Sequence, residues 1–318
     1  MKAKNILIFG GSGQIGRHLI RKLTKSNYEV TAVTRNIHQK AYFLKTQANA
    51  GYLNIVEANI FDEEKIKNLI RKNEIVINLI GILYESRSNT FHNLHNIFPT
   101  YISKICRDFN IKQLIHVSAL GVEQAGDSNY AKSKLEGEAN IKNNFKDSTI
   151  LRPSVVYSVD DNFTTNFMTL LNRLPIFPLY YNGKTKFTPI HCSDLTEIIY
   201  QVISKKIKST TIECVGPETI SLKDILERLL YLIDKKRILI PMPLFLAKIS
   251  AAFFELFPKP LLTNDQLRLL KYDNVPSGKY KTNFDINVPS TCKFNLEVSK
   301  YCYMWKESGQ FSKKKYDL

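Results

Sequence analysis

The sequence is poor in the residues that build disulfide frameworks and metal centres. It has only five cysteines, an odd number, and no two of them have the spacing of metal ligands. Free thiols in a reducing compartment are therefore expected, and no metal site. The cysteines are Cys106, Cys192, Cys214, Cys292 and Cys302. Five histidines also lack metal spacing or a nucleophilic partner, so a structural role is expected for each: His18, His38, His92, His95 and His116.

Acidic residues are scarce as well, above all near the amino end. Residues 1–50 contain nine Lys or Arg and one acid, Glu29, so nine minus one gives +8 of the formal net charge of +16. The basic runs and interleaved aromatic residues that are typical of nucleic-acid-binding proteins are missing, so no nucleic-acid partner is expected. Three interpretations of the excess charge stay open: attraction of a polyanionic cofactor, contact with an anionic membrane surface, and compositional drift.

No long apolar run opens the chain, and one occurs near its carboxyl end. Residues 1–4 form a short basic start before a first apolar run, so no secretory signal is expected. Residues 238–257 are almost wholly apolar, but two prolines, Lys248 and Glu255 argue against a span of the bilayer. The second proline, Pro243, better marks the start of a helix. This helix either lies at a membrane surface or covers a cleft and docks in the core.

The pattern that indicates the fold is an alternation of short apolar runs with amphipathic segments. Strands are predicted at residues 5–9, 29–33, 54–58, 75–79, 113–118, 148–152 and 211–215, and helices at 14–25, 62–72, 95–108, 129–145, 193–204 and 221–233. This alternation predicts an α/β fold, with a doubly wound parallel sheet of the Rossmann type and a smaller mixed α/β subdomain at the carboxyl end. Residues 1–155 are expected to form the nucleotide-binding domain. Residues 156–318 are expected to form a subdomain that faces a substrate or partner, with some segments returning to the main sheet.

A glycine-rich loop lies between the first predicted strand and the first predicted helix. Gly10, Gly13 and Gly16 are spaced as in dinucleotide-binding loops, where glycine permits a sharp turn and a close approach of backbone amides to a pyrophosphate. The helix that follows turns its amino end toward the phosphates. The loop residues expected to contact the nucleotide are Gly10, Ser12, Gly13, Gln14, Ile15 and Gly16.

The end of the second predicted strand indicates which nucleotide binds. Proteins that bind NAD usually place an acid here to accept hydrogen bonds from the ribose hydroxyls. This chain has Arg35 instead, and a guanidinium can hold a 2′-phosphate with two hydrogen bonds. Arg17 is expected to add positive charge nearby. NADP(H) is therefore favoured over NAD(H), unless Arg35 is only a solvated loop residue.

Three side chains form a candidate catalytic set. Tyr130 and Lys134 are four residues apart and therefore share one face of a predicted helix. A neighbouring ammonium favours the phenolate, so Lys134 is expected to lower the pKa of Tyr130. Ser118 ends a predicted strand at the carboxyl edge of the sheet, where such folds bind ligands. Its hydroxyl would polarise a carbonyl while Tyr130 exchanges a proton.

With these motifs, the chain resembles the short-chain dehydrogenases/reductases from residue 5 to about residue 200. Residues 59–62 resemble the turn beside the adenine, and residues 78–81 resemble the motif that follows the fourth strand. Residues 151–157 resemble the segment at the nicotinamide end, and residues 191–195 resemble an element of the extended branch. The resemblance implies further nucleotide contacts at Asn59, Ile60, Leu79, Ile80, Gly81, Tyr130, Lys134, Pro153 and Val155.

A closer resemblance is to the nucleotide-binding accessory subunits of respiratory complex I, the alpha-subcomplex subunit nine type. It is carried by residues 77–85, 115–121 and 151–155, by the proline-flanked helix at 243–258, and by residues 262–270 and 273–275. That family implies a largely structural NADPH and a role in assembling or stabilising a membrane complex. It also implies a place on the cytoplasmic side, peripheral on an inner membrane, in a bacterial cytoplasm or a mitochondrial matrix.

The complete Ser118, Tyr130 and Lys134 set is a pattern that the accessory subunits need not retain, so three functions stay open. The first is a subunit that binds the nucleotide without turnover. The second is an NADP-dependent oxidoreductase or epimerase that acts on a small or lipid-like, quinone-related carbonyl. The third is a cytosolic protein that senses NADPH.

Overall fold

A parallel sheet of eight strands is the central element of the computed structural model, which describes residues 4–86, 89–307 and 309–311. The strands are β1 (Asn5–Phe9), β2 (Glu29–Thr34), β3 (Leu53–Glu57), β4 (Ile75–Asn78), β5 (Gln113–Val117), β6 (Ser148–Pro153), β7 (Val156–Tyr157), β8 (Ile176–Leu179), β9 (Lys186–Phe187), β10 (Ile190–His191), β11 (Thr210–Cys214), β12 (Ile220–Ser221), β13 (Ile238–Pro241) and β14 (Lys281–Thr282). The helices are α1 (Gln14–Lys25), α2 (Ile37–Lys45), α3 (Glu63–Arg71), α4 (Phe98–Asp108), α5 (Asn129–Asn144), α6 (Thr164–Arg173), α7 (Cys192–Ser204), α8 (Leu222–Leu232), α9 (Leu244–Phe254), α10 (Asn264–Leu269) and α11 (Phe294–Ser299).

The order of strands in the main sheet is β14-β11-β6-β5-β4-β1-β2-β3. From β1 the chain passes to β2 and β3 on one side, and it then returns to β4 on the other side. Phe9, at the end of β1, lies in register with Val33 of β2 and Asn78 of β4. A reversal of this kind opens a crevice at the carboxyl ends of the strands, which is where doubly wound folds bind ligands.

Both faces of the sheet are covered by helices. Ile6 and Ile8 of β1 are buried in a cluster with residues of α1 and α7, whereas Leu7 and Phe9 are buried on the opposite face with residues of α3, α4 and α5. Strands buried on both sides have continuous rather than alternating apolar sequences. The predicted doubly wound α/β fold is therefore confirmed.

The largest departures from the predicted elements are helices without a strong apolar stripe. Only Leu44 is buried in α2, which explains why this helix had no clear periodicity in the sequence. Helix α6, which ends just before Pro175, was not predicted either. The helix expected at residues 95–108 begins earlier, as a wide π-helical segment over His92–Ile97 that leads into α4. Such segments often occur beside functional sites.

The carboxyl half builds a smaller cluster and also extends the main sheet. Strands β11 and β14 pair with the main sheet, and α6, α8 and α11 pack around the buried rings of Tyr157 and Phe294. Residues 238–257 divide into β13 and α9, and α9 begins directly after Pro243, as its sequence predicted. Within the described ranges, no helix is both long enough and apolar enough to cross a membrane.

Candidate nucleotide site

The glycine loop is closed by contacts that leave no room for side chains. Gly10 has a φ of +80°, and a Cβ atom there would lie 3.1 Å from the carbonyl carbon of Leu79, just past β4. At Gly16 a Cβ atom would lie 2.5 Å from the carbonyl oxygen of Gly11. The amide of Gly13 donates to the carbonyl oxygen of Gly10 over 3.0 Å. The loop therefore depends on glycine for its turn at Gly10 and for the close packing of α1 at Gly16.

The amino end of α1 suits an anionic group. Gly13 is the N-cap residue, no side chain accepts a hydrogen bond from the first turn, and that turn contains no acid. The first amides of a helix carry partial positive charge and need acceptors. Gln14 is held at one side, because its Nε2 donates to Ser158 Oγ over 2.7 Å. Ser12 is half-buried, and the half-buried Ile15 packs against the core beneath the loop.

Arg17 does not have the role expected from the sequence. Its guanidinium forms an ion pair with Asp160 and lies over the ring of Phe43, 5.0 Å from the centroid. The Arg17 and His18 side chains and a hydrogen bond from Ser158 hold the pKa of Asp160 well below its usual range despite partial burial. The expectation that Arg17 contributes free positive charge is therefore wrong, since a carboxylate from a distant loop neutralises it.

Two residues that were predicted to lie near the adenosine part of the nucleotide, Arg35 and Asn59, are exposed to solvent. Arg35 follows β2 with an exposed side chain, and its Nη1 donates to Asn89 Oδ1 over 3.3 Å. Asn59 follows β3 and is also exposed, with its Oδ1 accepting from the amide of Phe61 over 3.1 Å. Ile60 is buried in the core on the same face as Val33. Arg35 is thus placed at the strand edge, where its guanidinium can reach an anionic group.

The segment after β4 approaches Lys134 closely. A Cβ atom at Gly81 would lie 3.2 Å from Lys134 Nζ, so glycine leaves space for this ammonium. Just before it, the amide of Leu79 donates to the carbonyl oxygen of Phe9, and the amide of Ile80 donates to Asn78 Oδ1 over 3.1 Å. Residues 79–81 are thereby fixed beside the glycine loop.

Ser118 has a buried hydroxyl for which the described residues supply no partner. It follows β5 directly, its side chain is buried, and its Oγ makes no hydrogen bond. Buried polar groups are nearly always hydrogen-bonded, so an orphaned hydroxyl in a ligand crevice indicates a group that binds there. The residues at this edge therefore fit a polar ligand, as the sequence suggested.

Tyr130 and Lys134 lie one turn apart on α5, beside Ser118. Lys134 Nζ donates to the carbonyl oxygen of Val117 over 3.2 Å. Burial lowers the pKa of Lys134 to about 8, against an opposing effect of Glu138. Burial also raises the pKa of Tyr130, and Lys134 does not offset this. The expectation that Lys134 lowers the pKa of Tyr130 is wrong, because the low polarity around the phenol has the larger effect.

His95 links the segment after β4 to α5. Its Nε2 accepts from the amide of Ile82 over 3.1 Å, so its proton is assigned to Nδ1, which donates to Ser133 Oγ over 3.0 Å. Ser133 Oγ in turn donates to the carbonyl oxygen of Tyr130. Burial, and then the nearby Lys134, lower the pKa of His95 to about 2, so the ring is neutral. The sequence offered no signal for this bridge.

At the expected nicotinamide end, backbone carbonyls hold neighbouring loops together. Pro153 ends β6, and its carbonyl oxygen accepts from the amide of Leu120 over 2.8 Å. The carbonyl oxygen of Val155 accepts from the amide of Ile190 over 3.0 Å. Both residues lie at the same strand edge as Ser118. The predicted site residues come from seven segments, six at the carboxyl ends of β1 to β6 and one on α5, and they lie along this edge of the sheet.

Comparison with known families decides the classification. The family model described as RmlD substrate binding domain matches residues 4–224, which is more than half of the 318 residues. The chain belongs to this family. The resemblance to dehydrogenase-like nucleotide-binding proteins that was drawn from the motifs is thereby confirmed.

Curated relatives extend the comparison to nearly the whole chain. The mitochondrial NADH-ubiquinone oxidoreductase 40 kDa subunit of Neurospora crassa is 24% identical over 314 residues, which are 98% of this chain and 80% of that protein. The mitochondrial NADH dehydrogenase [ubiquinone] 1 alpha subcomplex subunit 9 of Arabidopsis thaliana is 26% identical over 282 residues, 85% of this chain and 70% of that protein. The similarity to the complex I accessory subunits is confirmed and includes the carboxyl half.

Solved structures confirm the fold. The dTDP-glucose 4,6-dehydratase of Bacillus anthracis, determined in complex with NAD, superimposes with a TM-score of 0.72 at 16% identity. The match covers 97% of this chain and 98% of that enzyme.

Proposed function

We propose that this chain is an NADP(H)-binding accessory subunit of a membrane respiratory complex of the complex I type, in which the nucleotide stabilises the fold and the assembly. The similarity over nearly the whole chain to complex I subunits carries the proposal. The glycine loop, the uncapped amino end of α1 and the orphaned Ser118 hydroxyl support nucleotide binding. In this proposal, residues 1–155 form the nucleotide-binding domain. Residues 156–318 form the subdomain that faces a substrate or partner, and β11 and β14 of this part return to the main sheet.

Each part of the nucleotide has residues that would hold it. The pyrophosphate would lie at the glycine loop and the amino end of α1, and Arg35 would bind the 2′-phosphate. Asn59 and Ile60 would border the adenine, while residues 79–81 would border the pyrophosphate and ribose. Lys134 would donate to the nicotinamide ribose, near Ser118, Tyr130, Pro153 and Val155. When bound, the nucleotide supplies a hydride donor or acceptor, and these residues orient it.

The protonated state of Tyr130 suits a hydrogen-bond donor to a bound ligand. A phenol whose pKa is raised by burial keeps its proton at neutral pH and does not act as a base. Tyr130 would then donate a hydrogen bond that holds a ligand in place.

A second candidate is an active oxidoreductase or epimerase for a small or lipid-like, quinone-related carbonyl. The placement of Ser118, Tyr130 and Lys134 along one strand edge favours it. Ser118 would orient the carbonyl, Lys134 would hold the ribose, and Tyr130 would donate the proton that the reduced oxygen takes up.

Replacing Arg35 with alanine should weaken NADPH binding by roughly tenfold to a hundredfold, because a charge-assisted hydrogen-bond pair with the 2′-phosphate is lost. NADH affinity should stay nearly unchanged. Isothermal titration of both nucleotides measures this, with Arg21→Ala as the control for loss of an exposed guanidinium. Equal losses for the two nucleotides would contradict the role of Arg35.

Nucleotide affinity should also fall as pH rises through about 8, the pKa of Lys134. Its protonated ammonium attracts the anionic nucleotide and donates to the ribose, whereas the neutral amine loses the charge. Between pH 7 and pH 9 the dissociation constant should rise roughly tenfold. Fluorescence titration across this range tests it, and Lys134→Met should have a weaker affinity that is flat with pH. A pH dependence that persists in Lys134→Met would refute the assignment.

An apolar patch lies on the carboxyl half, the part of the chain that we propose faces the partners. It consists of Phe245, Ile249, Phe253, Leu256 and Phe257, whose side chains are exposed, while Ala247 and Ala251 on the opposite face of α9 are buried. Exposed fractions of 64% at Phe245 and 80% at Leu256 are unusual for such large apolar groups. Lys248 and Lys259 lie within and beside the patch. We infer that it docks at the interfacial edge of the membrane complex, where apolar and cationic groups meet anionic lipid.

Membrane fractionation and native electrophoresis test the proposed function. The tagged chain, expressed in the cells from which it comes, should sediment with membranes and co-migrate with complex I activity after mild solubilisation. Ile249→Glu with Phe253→Glu should release it, since two charges would have to enter the interface. Leu296→Glu, an exposed apolar position outside the patch, is the control. Wild-type protein that stays entirely in the supernatant would overturn the proposal.

A further inference from the structure

A segment of the carboxyl half, residues 262–275, contacts the start of α5 and the loops that follow β5 and β6; we call it the strap. It begins with Leu262 packed beneath α9, forms α10 behind a capping box at Thr263, and ends beside β9 at Asn274. Two of its side chains bind to segments that carry predicted site residues, although these segments are far away in the sequence.

The first of these side chains is Asp265, which caps α5. Its carboxylate accepts hydrogen bonds from the amide of Asn129 over 2.8 Å and from the amide of Tyr130 over 3.0 Å. Ser128 Oγ donates to the same carboxylate over 2.7 Å and itself accepts from the amide of Ala131. The first amides of α5 are thus satisfied by an acceptor that belongs to the strap, and the negative charge suits the helix dipole.

The second side chain is Asn274, which joins two loops at the carboxyl edge of the sheet. Its Nδ2 donates to the carbonyl oxygen of Leu120 over 2.8 Å, two residues after Ser118. Its Oδ1 accepts from Ser154 Oγ over 2.6 Å, directly after Pro153. Asn274 therefore sets the spacing between the loop that carries Ser118 and the segment predicted to meet the nicotinamide.

We propose that the strap is part of the nucleotide site, and that Asp265 and Asn274 are positioning residues that hold Tyr130 and Ser118 in place for the ligand. This rests on the proposed nucleotide binding. The backbone amide of Tyr130 bonds to the strap, so the orientation of this side chain depends on a residue 135 positions away. A site held in its bound geometry loses less entropy when the ligand binds, so loss of the strap contacts weakens the ligand complex.

Asp265→Ala tests the first contact. It should raise the NADPH dissociation constant by roughly fivefold to tenfold, the equivalent of losing a helix cap with a charged acceptor. Hydrogen exchange at residues 129–130 should become faster in the same variant, because both amides lose their acceptor. Asp265→Asn keeps one acceptor oxygen and should recover part of the affinity. Asp285→Ala is the matched control, since Asp285 also accepts from a backbone amide and a hydroxyl, both of Thr282, but contacts no site segment.

Asn274→Asp tests the second contact without a change of size. The substitution keeps an oxygen that accepts from Ser154 Oγ but removes the Nδ2 group that donates to the carbonyl oxygen of Leu120. It should therefore also weaken NADPH binding, while its melting temperature should match that of the control, Asp285→Ala.

The possible outcomes distinguish a failure of the strap inference from a failure of the proposed nucleotide binding. If the wild type binds NADPH and both strap variants bind it as tightly as Asp285→Ala does, the strap has only a structural role and the inference is wrong. If the wild type binds neither NADPH nor NADH, the proposed function itself fails, and the strap inference fails with it.

Discussion

Gly16→Ala should reduce nucleotide affinity at least about a hundredfold, which corresponds to roughly 2.8 kcal/mol of binding free energy. The added Cβ atom would lie 2.5 Å from the carbonyl oxygen of Gly11 and 2.6 Å from that of Gly10. Both oxygens belong to the loop that would hold the pyrophosphate, so relief of the clash must move the loop away from the helix. The backbone amides of the loop would then no longer approach the pyrophosphate closely, and they would no longer be aligned with the amino end of α1.

Gly126→Ala is the control for the Gly16 substitution, because a Cβ atom at Gly126 would have no heavy atom within 4 Å. Titration with NADPH and a thermal melt of each variant make the comparison. Gly16→Ala should also melt at a lower temperature, while Gly126→Ala should match the wild type in both measurements. A Gly16→Ala protein that binds NADPH with wild-type affinity would show that the nucleotide is not held at this loop.

Arg152→Met should lower the free energy of unfolding by about 3–5 kcal/mol, the cost of removing one partner from a buried ion pair. Arg152 is a buried residue of β6. It donates to Glu138 from Nε over 2.9 Å and from Nη2 over 2.7 Å, and to Glu123 from Nη1 over 2.8 Å. The variant leaves the buried carboxylate of Glu138 without its main partner, and it also removes the guanidinium that lies 4.6 Å from the ring centroid of Tyr280.

Urea denaturation measures the Arg152 effect. Arg107→Met is a matched control, because Arg107 pairs with Asp108 on the surface and such pairs contribute about 0–1 kcal/mol. A loss at Arg152 no larger than that at Arg107 would mean that the network is hydrated and contributes little.

Strands and helices whose apolar residues are packed into the core could be predicted from the sequence. Strands β1 to β6 lie within about a residue of their predicted positions. Strands β1, β4 and β5 are almost wholly buried and largely apolar, as expected for strands covered on both faces, whereas β3, at the edge of the sheet, has no buried residue. The glycine loop could be predicted for a similar reason, since its geometry depends on residues that are close together in the sequence. Helix α2, with only Leu44 buried, carries no comparable pattern.

Interactions between distant segments could not be predicted. Arg17 is expected from the sequence to add positive charge near the nucleotide, but Asp160, 143 positions away, pairs with it. The spacing of Tyr130 and Lys134 placed both on one face of α5, but it contained no information about burial, which decides the direction of both pKa shifts. Asp265 is similarly remote from α5 in the sequence, so its contact with the helix depends on the fold of the carboxyl half.

Identification by mass spectrometry of the nucleotide retained through native purification, followed by an assay of its hydride turnover, tests the central claim most directly. The account predicts NADP(H) in near-stoichiometric amount and no oxidation of the bound NADPH by a panel of carbonyl and quinone substrates. Rapid exchange and oxidation that disappear in Tyr130→Phe would contradict a structural nucleotide and support the second candidate, an enzyme. A protein that retains no nucleotide and binds none when NADPH or NADH is added would contradict the nucleotide site altogether.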